Sequence, residues 1–172
     1  LLAGRAELKA LRAQINPHFL FNALNAIAGL IHDQPVLAEE TVERLAEVFR
    51  YTLRKSEREW ARLDEEMEFV AAYLSVEQAR FGERLRVELE IDPEVRGMQV
   101  PAISVQPLVE NAIKHGVSAV ERRGEVRIRA RRDGGCLRVE VFDNGPGFGP
   151  SPREGGGLRN VAVSESRISS ID

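Results

Sequence analysis

The spacing of apolar residues changes near residue 85, and the change divides the chain into two kinds of structure. Upstream, Leu20, Leu24, Ile27 and Ile31 recur at i, i+4, i+7 and i+11, the spacing of one apolar helix face. His18, Asn22, Asn25 and Gly29 repeat that spacing on another face, which is polar but uncharged. The stretch His32-Asp33-Gln34-Pro35 breaks the pattern, and Val42, Leu45, Phe49 and Leu53 form the stripe of a second helix. Two helices joined by a short turn make an antiparallel hairpin, which buries too little apolar surface alone. Pairing two hairpins into a four-helix bundle solves this, so the pattern predicts a homodimer through residues 5–55. A third helix is expected to start at Asp64 as N-cap and to stop at Gly82, with Leu63, Met67, Val70 and Leu74 on its core side.

From Leu85 the period is two. "LRVELEI" (85–91) alternates strictly, as a half-buried strand does, and Asp92-Pro93 ends it. "EVRIRARRDGGCLRVEVFD" (125–143) reads as two more alternating strands around an Asp-Gly-Gly turn. Between them a helix is expected from about Ser104 to His115. This half is therefore predicted to be an α/β layer of antiparallel strands backed by helices. No internal repeat is visible, and the only biased tract is the glycine-rich end.

Composition narrows the function classes. The 172 residues suffice for one or two small domains, and 30% charged with 43% hydrophobic residues is ordinary for a packed protein. A net charge of −3 speaks against nucleic acid or an anionic membrane surface as the main partner. One cysteine, Cys136, excludes an internal disulfide and a cysteine metal cluster, and fits a reducing compartment. Residues 13–31 carry no Asp, Glu, Lys or Arg over a length that could span a bilayer. Yet Gln14, Asn16, Pro17, His18, Asn22 and Asn25 would each be costly in hydrocarbon, so the run is expected to pack against protein. No signal-peptide pattern is present, and the chain begins inside a helical pattern without Met, as a fragment of a longer protein would.

The candidate chemistry sits in three stretches. In "SVQPLVENAIKHG" (104–116), Leu108, Val109, Ala112 and Ile113 share one face and Pro107, Glu110, Asn111 and Lys114 the other. The second face sets a carboxylate, an amide oxygen and an ammonium in a row. Such groups suit Mg²⁺ and phosphate, and they equally suit the solvated side of an ordinary helix. Lys114 stands out because 21 of the 24 basic residues are Arg. "DNGPGFG" (143–149) follows a strand, so Asp143 falls at the strand end, and Gly145 and Gly147 would let a ligand approach the backbone. "GGGLRN" (155–160) could present N–H groups at a helix N-terminus, suited to phosphate. Each glycine run alone reads as a turn; the ordered series is far more specific.

Taken together, these stretches resemble the catalytic core of LytS-type sensor histidine kinases, whose ATP-binding domain is shared with gyrase, HSP90 and MutL (GHKL). "LRAQINPHFLFNALN" is similar to the family's phosphoacceptor box, "VQPLVENAIKHG" to its asparagine box, and "DNGPGFG" and "GGGLRN" to its two glycine boxes. "YLSVEQARFGERLRVELEID" resembles the spacer between them, so the likeness runs roughly from residue 5 to 162. It implies an α + α/β architecture: a helical hairpin that dimerises into a four-helix bundle, then an α/β sandwich of the GHKL (Bergerat) fold. Residues 1–60 would be the dimerisation and histidine phosphotransfer helices, and 61–172 the ATP-binding catalytic domain. The implied activity is that of a protein-histidine kinase, with ATP and Mg²⁺ as cofactors. His18 would be autophosphorylated and then pass the phosphoryl group to an aspartate of a response-regulator receiver domain.

The resemblance also implies roles for single residues. Asn111 would hold Mg²⁺ with Glu110 as helper, Lys114 would contact phosphate, and Asp143 would accept the adenine amino group. Gly145, Gly147, Gly155 and Gly157 would shape the loops around the triphosphate, with Leu158 among the nucleotide-binding residues. A cytoplasmic location is implied for the core, with any membrane attachment through N-terminal regions absent from this chain. Pro17 lacks the N–H that would bond to the Ala13 carbonyl, so a helix bend is expected beside His18. The uncharged surroundings leave no salt-bridge partner to occupy the His18 ring. His32 and His115 receive no role.

Three positions depart from the family. Phe19 stands where many other histidine kinases carry an acidic residue, which leaves the proton acceptor open. Gly156 replaces a larger apolar residue. "VAVSESRISSID" (161–172) does not continue into the family's further helix segment and two closing strands, so the fold is expected to be incomplete at its C-terminal part, with an unpaired sheet edge. Two other functions fit the same residues: a GHKL module that binds nucleotide and signals without phosphorylating, and a helical dimerisation module with a passive α/β part. A gyrase-like ATPase is disfavoured, because the Glu those enzymes carry four residues before the Mg²⁺-binding Asn is Pro107 here.

Overall fold

The computed structural model describes residues 16–54, 58–118, 123–146 and 158–164, the last by backbone alone. In chain order the elements are α1 (Pro17–Leu30), α2 (Pro35–Arg54), β1 (Trp60–Arg62), α3 (Leu63–Phe81), β2 (Leu85–Ile91) and β3 (Gln99–Pro101). Next come α4 (Gln106–Asn111), a π-helical turn that continues it (Ala112–Val117), β4 (Gly124–Asp133), β5 (Cys136–Asp143) and β6 (Leu158–Ser164). They form two compact units, one of residues 1–57 and 71–82, the other of 58–70 and 83–172.

In the first unit, α1 begins where its sequence allows. Asn16 is the N-cap, its side-chain oxygen accepting the N–H groups of His18 (3.1 Å) and Phe19 (3.4 Å). Pro17 takes the first helical turn, where a missing N–H is harmless. Within the described residues Pro17 opens a helix; the bend expected beside it depends on Ala13, which lies outside them.

The hairpin buries Phe19, Ala23 and Ile27 of α1 and Ala38, Leu45 and Val48 of α2. Thr41 joins them, its hydroxyl donating to the Leu37 carbonyl at 2.6 Å. These faces are rotated from the stripes expected, because Leu24, Ile31, Val42 and Leu53 are each about half exposed. Ala23 and Ala38 occupy buried positions instead, and short side chains let helices approach closely.

The third helix buries Leu63, Met67, Val70 and Leu74 as expected, and Gly82 follows it in the left-handed conformation, with φ of 58°. Asp64 is its second residue and not its cap. The Asp64 carboxylate pairs with the Arg62 guanidinium at 2.6 Å, while Glu65 reaches back to the Arg62 N–H at 3.3 Å.

In the second unit β1 and β3 make a short antiparallel pair, and the main sheet has the order β2-β4-β5-β6. Gly134 and Gly135, with φ of 58° and 90°, form the two-residue turn between Asp133 and Cys136. The all-antiparallel expectation needs correction: β2 runs parallel to β4. The connection between them carries β3 and α4, and such a crossover returns the chain in the same direction. A second correction concerns "GGGLRN". Leu158 to Asn160 do not start a helix but open β6, which pairs antiparallel with β5 and forms an edge of the sheet. Val161 and Val163 favour extended backbone, and the free edge of β5 supplies the hydrogen-bonding partner.

The inner sheet face is Val126, Ile128, Ala130, Leu137, Val139 and Val141, all buried, with the π turn that continues α4 packed on β4 and β5. On the outer face Arg127 pairs with Glu88 and Arg129 with Glu90, both at 2.7 Å. These cross-strand pairs favour this register, but partly exposed ion pairs add little stability.

The entry into α4 depends on one carboxylate. Glu66 is fully buried and accepts the N–H groups of Ile103 (2.9 Å) and Val105 (3.3 Å). Ile103 has φ of 63°, a conformation that β-branched side chains rarely adopt. The N-cap of α4 is Val105 without a side-chain cap, and the helix starts at Gln106, two residues later than expected. Glu66 takes donors in this loop that a local capping residue would otherwise have served. Hydrogen bonds to a charged group are worth roughly 1.5–3 kcal/mol each. Glu66→Ala should therefore destabilise the second unit by about 3 kcal/mol or more, and Glu66→Gln by less, since its amide still accepts. Urea unfolding measures both, and an Ala variant as stable as wild type would contradict the assignment.

Candidate functional site

The period of β5 places Asp143 on the same face as Val139 and Val141, directly opposite Val126 of β4. A carboxylate thus ends an apolar row. Asp143 is 7% exposed, and burial pushes its proton affinity above the ordinary carboxylate range. The Gly145 N–H, donating to Oδ1 at 2.9 Å, and the nearby His115 oppose that shift.

Two glycines make this seat possible. A methyl group on Gly116 would lie 2.5 Å from the Asp143 Oδ1 and 2.7 Å from its Cβ. One on Gly145 would lie 2.4 Å from the Gly116 Cα and 3.1 Å from the His115 carbonyl oxygen. Gly116 belongs to the π turn, which closes with Ser118 N–H to Ile113 carbonyl at 3.0 Å; such turns often occur at functional sites. Asn144 secures the strand end: its Oδ1 accepts the Glu125 N–H (2.8 Å) and its amide donates to the Arg123 carbonyl (2.9 Å).

On α4 the faces fall as the sequence implies. Val109, Ala112 and Ile113 are buried, Pro107 and Lys114 are exposed, and Glu110 and Asn111 are half-buried. Gln106 donates to Glu110 at 2.7 Å. Among the described residues neither the Asn111 amide nor the Lys114 ammonium has a hydrogen-bond or ion-pair partner. Also among the described residues, no group of three or more His, Cys, Asp or Glu side chains could hold a metal ion.

In the first unit His18 is exposed in the first turn of α1. The Asn22 amide, one turn on, lies 3.2 Å from its Nδ1 and 3.5 Å from its Nε2. Among the described residues no helix is long and apolar enough to cross a membrane.

Asp143 and Gly145 are therefore brought together, and Glu110, Asn111 and Lys114 share one helix face. Leu158 is opposite Asp143 in the β5–β6 ladder, while Gly147, Gly155 and Gly157 lie outside the described residues. Gly116, Glu66 and the Asn22 contact were missed from sequence. "KHG" reads as a helix stop, and nothing local links Glu66 to residues 103–105. Asn22 was visible only as a polar position one turn from His18.

Residues 6–85 match the family model described as histidine kinase, and residues 102–169 match that of the histidine kinase-, DNA gyrase B-, and HSP90-like ATPases. The chain belongs to the histidine kinases, and within them to the LytS type. It is 46% identical over 140 residues to sensor histidine kinase BtsS of Escherichia coli, covering 81% of this chain and 25% of that protein. Sensor protein LytS of Enterococcus faecalis is 38% identical over 147 residues, 86% of this chain and 25% of that protein. The chain thus spans about a quarter of the length of these curated relatives. Among solved structures, the catalytic domain of histidine kinase ThkA aligns at a TM-score of 0.39 and 20% identity, covering 52% of this chain and 60% of that one.

The packing and the charge of the Asp143 seat can be separated. Gly116→Ala should destabilise the second unit by about 1–3 kcal/mol, the usual cost of overpacking. Asp143→Asn keeps an oxygen for Gly145 and removes a desolvated charge, so at neutral pH its stability should equal or exceed wild type. The sign follows from proton affinity. A carboxyl that binds its proton more tightly when folded subtracts stability as pH rises from its unfolded pKa, about 3.9, to its raised folded one. Thermal unfolding across that range should show this loss in wild type and not in Asp143→Asn. A variant less stable than wild type at neutral pH would refute it.

Proposed function

We propose that this chain is the autophosphorylating core of a sensor kinase, with residues 1–60 as dimerisation and phosphotransfer helices and 61–172 as the ATP-binding domain. The observation that carries the reading is His18 itself, exposed on a helix whose surroundings from residue 13 to 31 hold no charged residue. A ring nitrogen of His18 attacks the γ-phosphorus of ATP. The bond to the bridging oxygen breaks, ADP leaves with its electron pair, and the ring loses its proton. The phosphoryl group then passes to an aspartate of a response-regulator receiver domain. On His18 the anionic group would sit at the positive end of α1, a favourable place for it.

In the ATP-binding domain the Asp143 carboxylate, which can only accept, takes an N–H of the adenine amino group. Gly116 and Gly145 pack closely against it and hold it in place. Lys114 meets phosphate as a point charge. Asn111, with Glu110 beside it, would hold Mg²⁺, which when bound neutralises phosphate charge. Gly145, Gly147, Gly155, Gly157 and Leu158 complete the nucleotide loops. Pro107 is exposed one turn before Asn111 and cannot accept a proton, so water lacks a base there and ATP is kept for His18. The core works on the cytoplasmic side.

With γ-labelled ATP, the full-length protein should take up acid-labile label, and His18→Gln should take up none while still binding ATP. Undiminished label on that variant would remove His18 from the mechanism.

The dimer is supported by the apolar residues the hairpin leaves outside, with Phe21 67% and Val42 50% exposed. Leu24→Glu combined with Val42→Glu changes two positions that are open in the single chain, so each hairpin should still form. Charge in the seam should cost several kcal/mol, on the order of the penalty for burying an unpaired polar group, and sedimentation should shift from dimer to monomer. A monomeric wild type at high micromolar concentration would contradict the seam.

A further inference from the structure

Phe19 follows the phosphoacceptor and points the other way, into the first unit. It is 6% exposed and stacks on Tyr73 of α3, with ring centroids 4.8 Å apart and planes at 26°. Tyr73 is buried as well, and its hydroxyl hydrogen-bonds to the carboxylate of Glu77 one turn on. Glu77 is buried in turn and lies 3.1 Å from the Arg80 guanidinium, which rests 4.1 Å above the Phe81 ring.

The first turn of a helix is its weakest part, because its leading N–H groups have no partner one turn back. In α1 the Asn16 cap holds that turn by two hydrogen bonds, and Phe19 is its buried anchor. A stacked aromatic pair adds to the grip that burial gives. A buried carboxylate is a poor choice if α3 only needed a filled core here, and burial indeed pushes the Glu77 carboxyl above its ordinary range. Its position is understood if the Tyr73 ring has to be held at one angle.

We propose that Tyr73, oriented by Glu77, is a positioning residue for phosphoryl transfer: by clasping Phe19 it fixes the first turn of α1 and so the direction in which His18 presents its ring. This inference rests on the kinase reading of His18. Misplacing a reacting group by about 1 Å can cost up to about a hundredfold in rate.

The test uses the full-length protein and measures autophosphorylation against ATP concentration. Tyr73→Leu should lower the rate at saturating ATP by roughly ten- to a hundredfold with the KM for ATP unchanged. Tyr73→Phe, which keeps the ring but loses the bond to Glu77, should recover part of that rate. Phe19→Leu should match Tyr73→Leu, and the double variant should be no worse than either, since each alone removes the stack. A wild-type rate in Tyr73→Leu, or additive losses in the double variant, would overturn the clasp. Wild-type protein that takes no label on His18 would overturn the kinase reading and the clasp with it. A labelled wild type whose Tyr73→Leu variant is equally fast would sink the clasp alone.

Discussion

A carboxylate at the end of an apolar strand face is unfavourable to bury, and Asp143 is held there by a close fit of backbone against side chain. Gly116 presents its Cα to the carboxyl group, Gly145 donates its N–H, and neither position has room for a methyl group. The rest of the second unit serves that fit. The Gly134-Gly135 turn sets the register that puts Asp143 on the inner face, and Asn144 ties the strand end to the start of β4. From the other side, Glu66 holds the loop that aims α4, and the π turn carries Gly116 onto the carboxyl group. A carboxylate kept desolvated in this way forms a strong hydrogen bond to a donor that replaces its lost water.

The first unit is organised by a different economy of contacts. Small residues fill the hairpin contact, so that Leu24, Ile31, Val42 and Leu53 remain available on its outside. The same rotation turns Phe19 inward and His18 outward, although they are adjacent in sequence. An inward Phe19 beside an outward His18 is the arrangement that the proposed phosphoacceptor would need to meet reactants while its helix stays fixed.

Much of this was legible in the sequence wherever the information is local. Strict alternation located the β4–β5 hairpin, the Asp-Gly-Gly turn its corner, and the helical period the faces of α3 and α4. The ordered motifs pointed to the family. What stayed hidden depends on contacts between distant residues. Glu66 and Ile103 are 37 residues apart, and no local pattern pairs them. The parallel pairing of β2 with β4 follows from the path of the crossover, and alternation is the same in either direction. Which apolar residues of α1 face inward is not told by hydrophobicity alone, since Ala23 is buried while Leu24 is half exposed. The position of Pro17 in the first turn of α1 depends on the capping geometry of Asn16, which the apolar pattern does not specify.

The central claim is that the seat of Asp143 on Gly116 makes this carboxylate a reader of the purine amino group. Calorimetric titration of the full-length protein with ATP and with inosine triphosphate tests it most directly. The two nucleotides differ at C6, where adenine carries an amino group and hypoxanthine a carbonyl oxygen, and at the adjoining N1, which accepts in adenine and bears a proton in hypoxanthine. Facing a buried carboxylate, that oxygen replaces an attraction with a repulsion, so inosine triphosphate should bind at least about tenfold more weakly, a difference of about 1.4 kcal/mol. Equal affinities would contradict the account, because Asp143 would then be buried without reading the base.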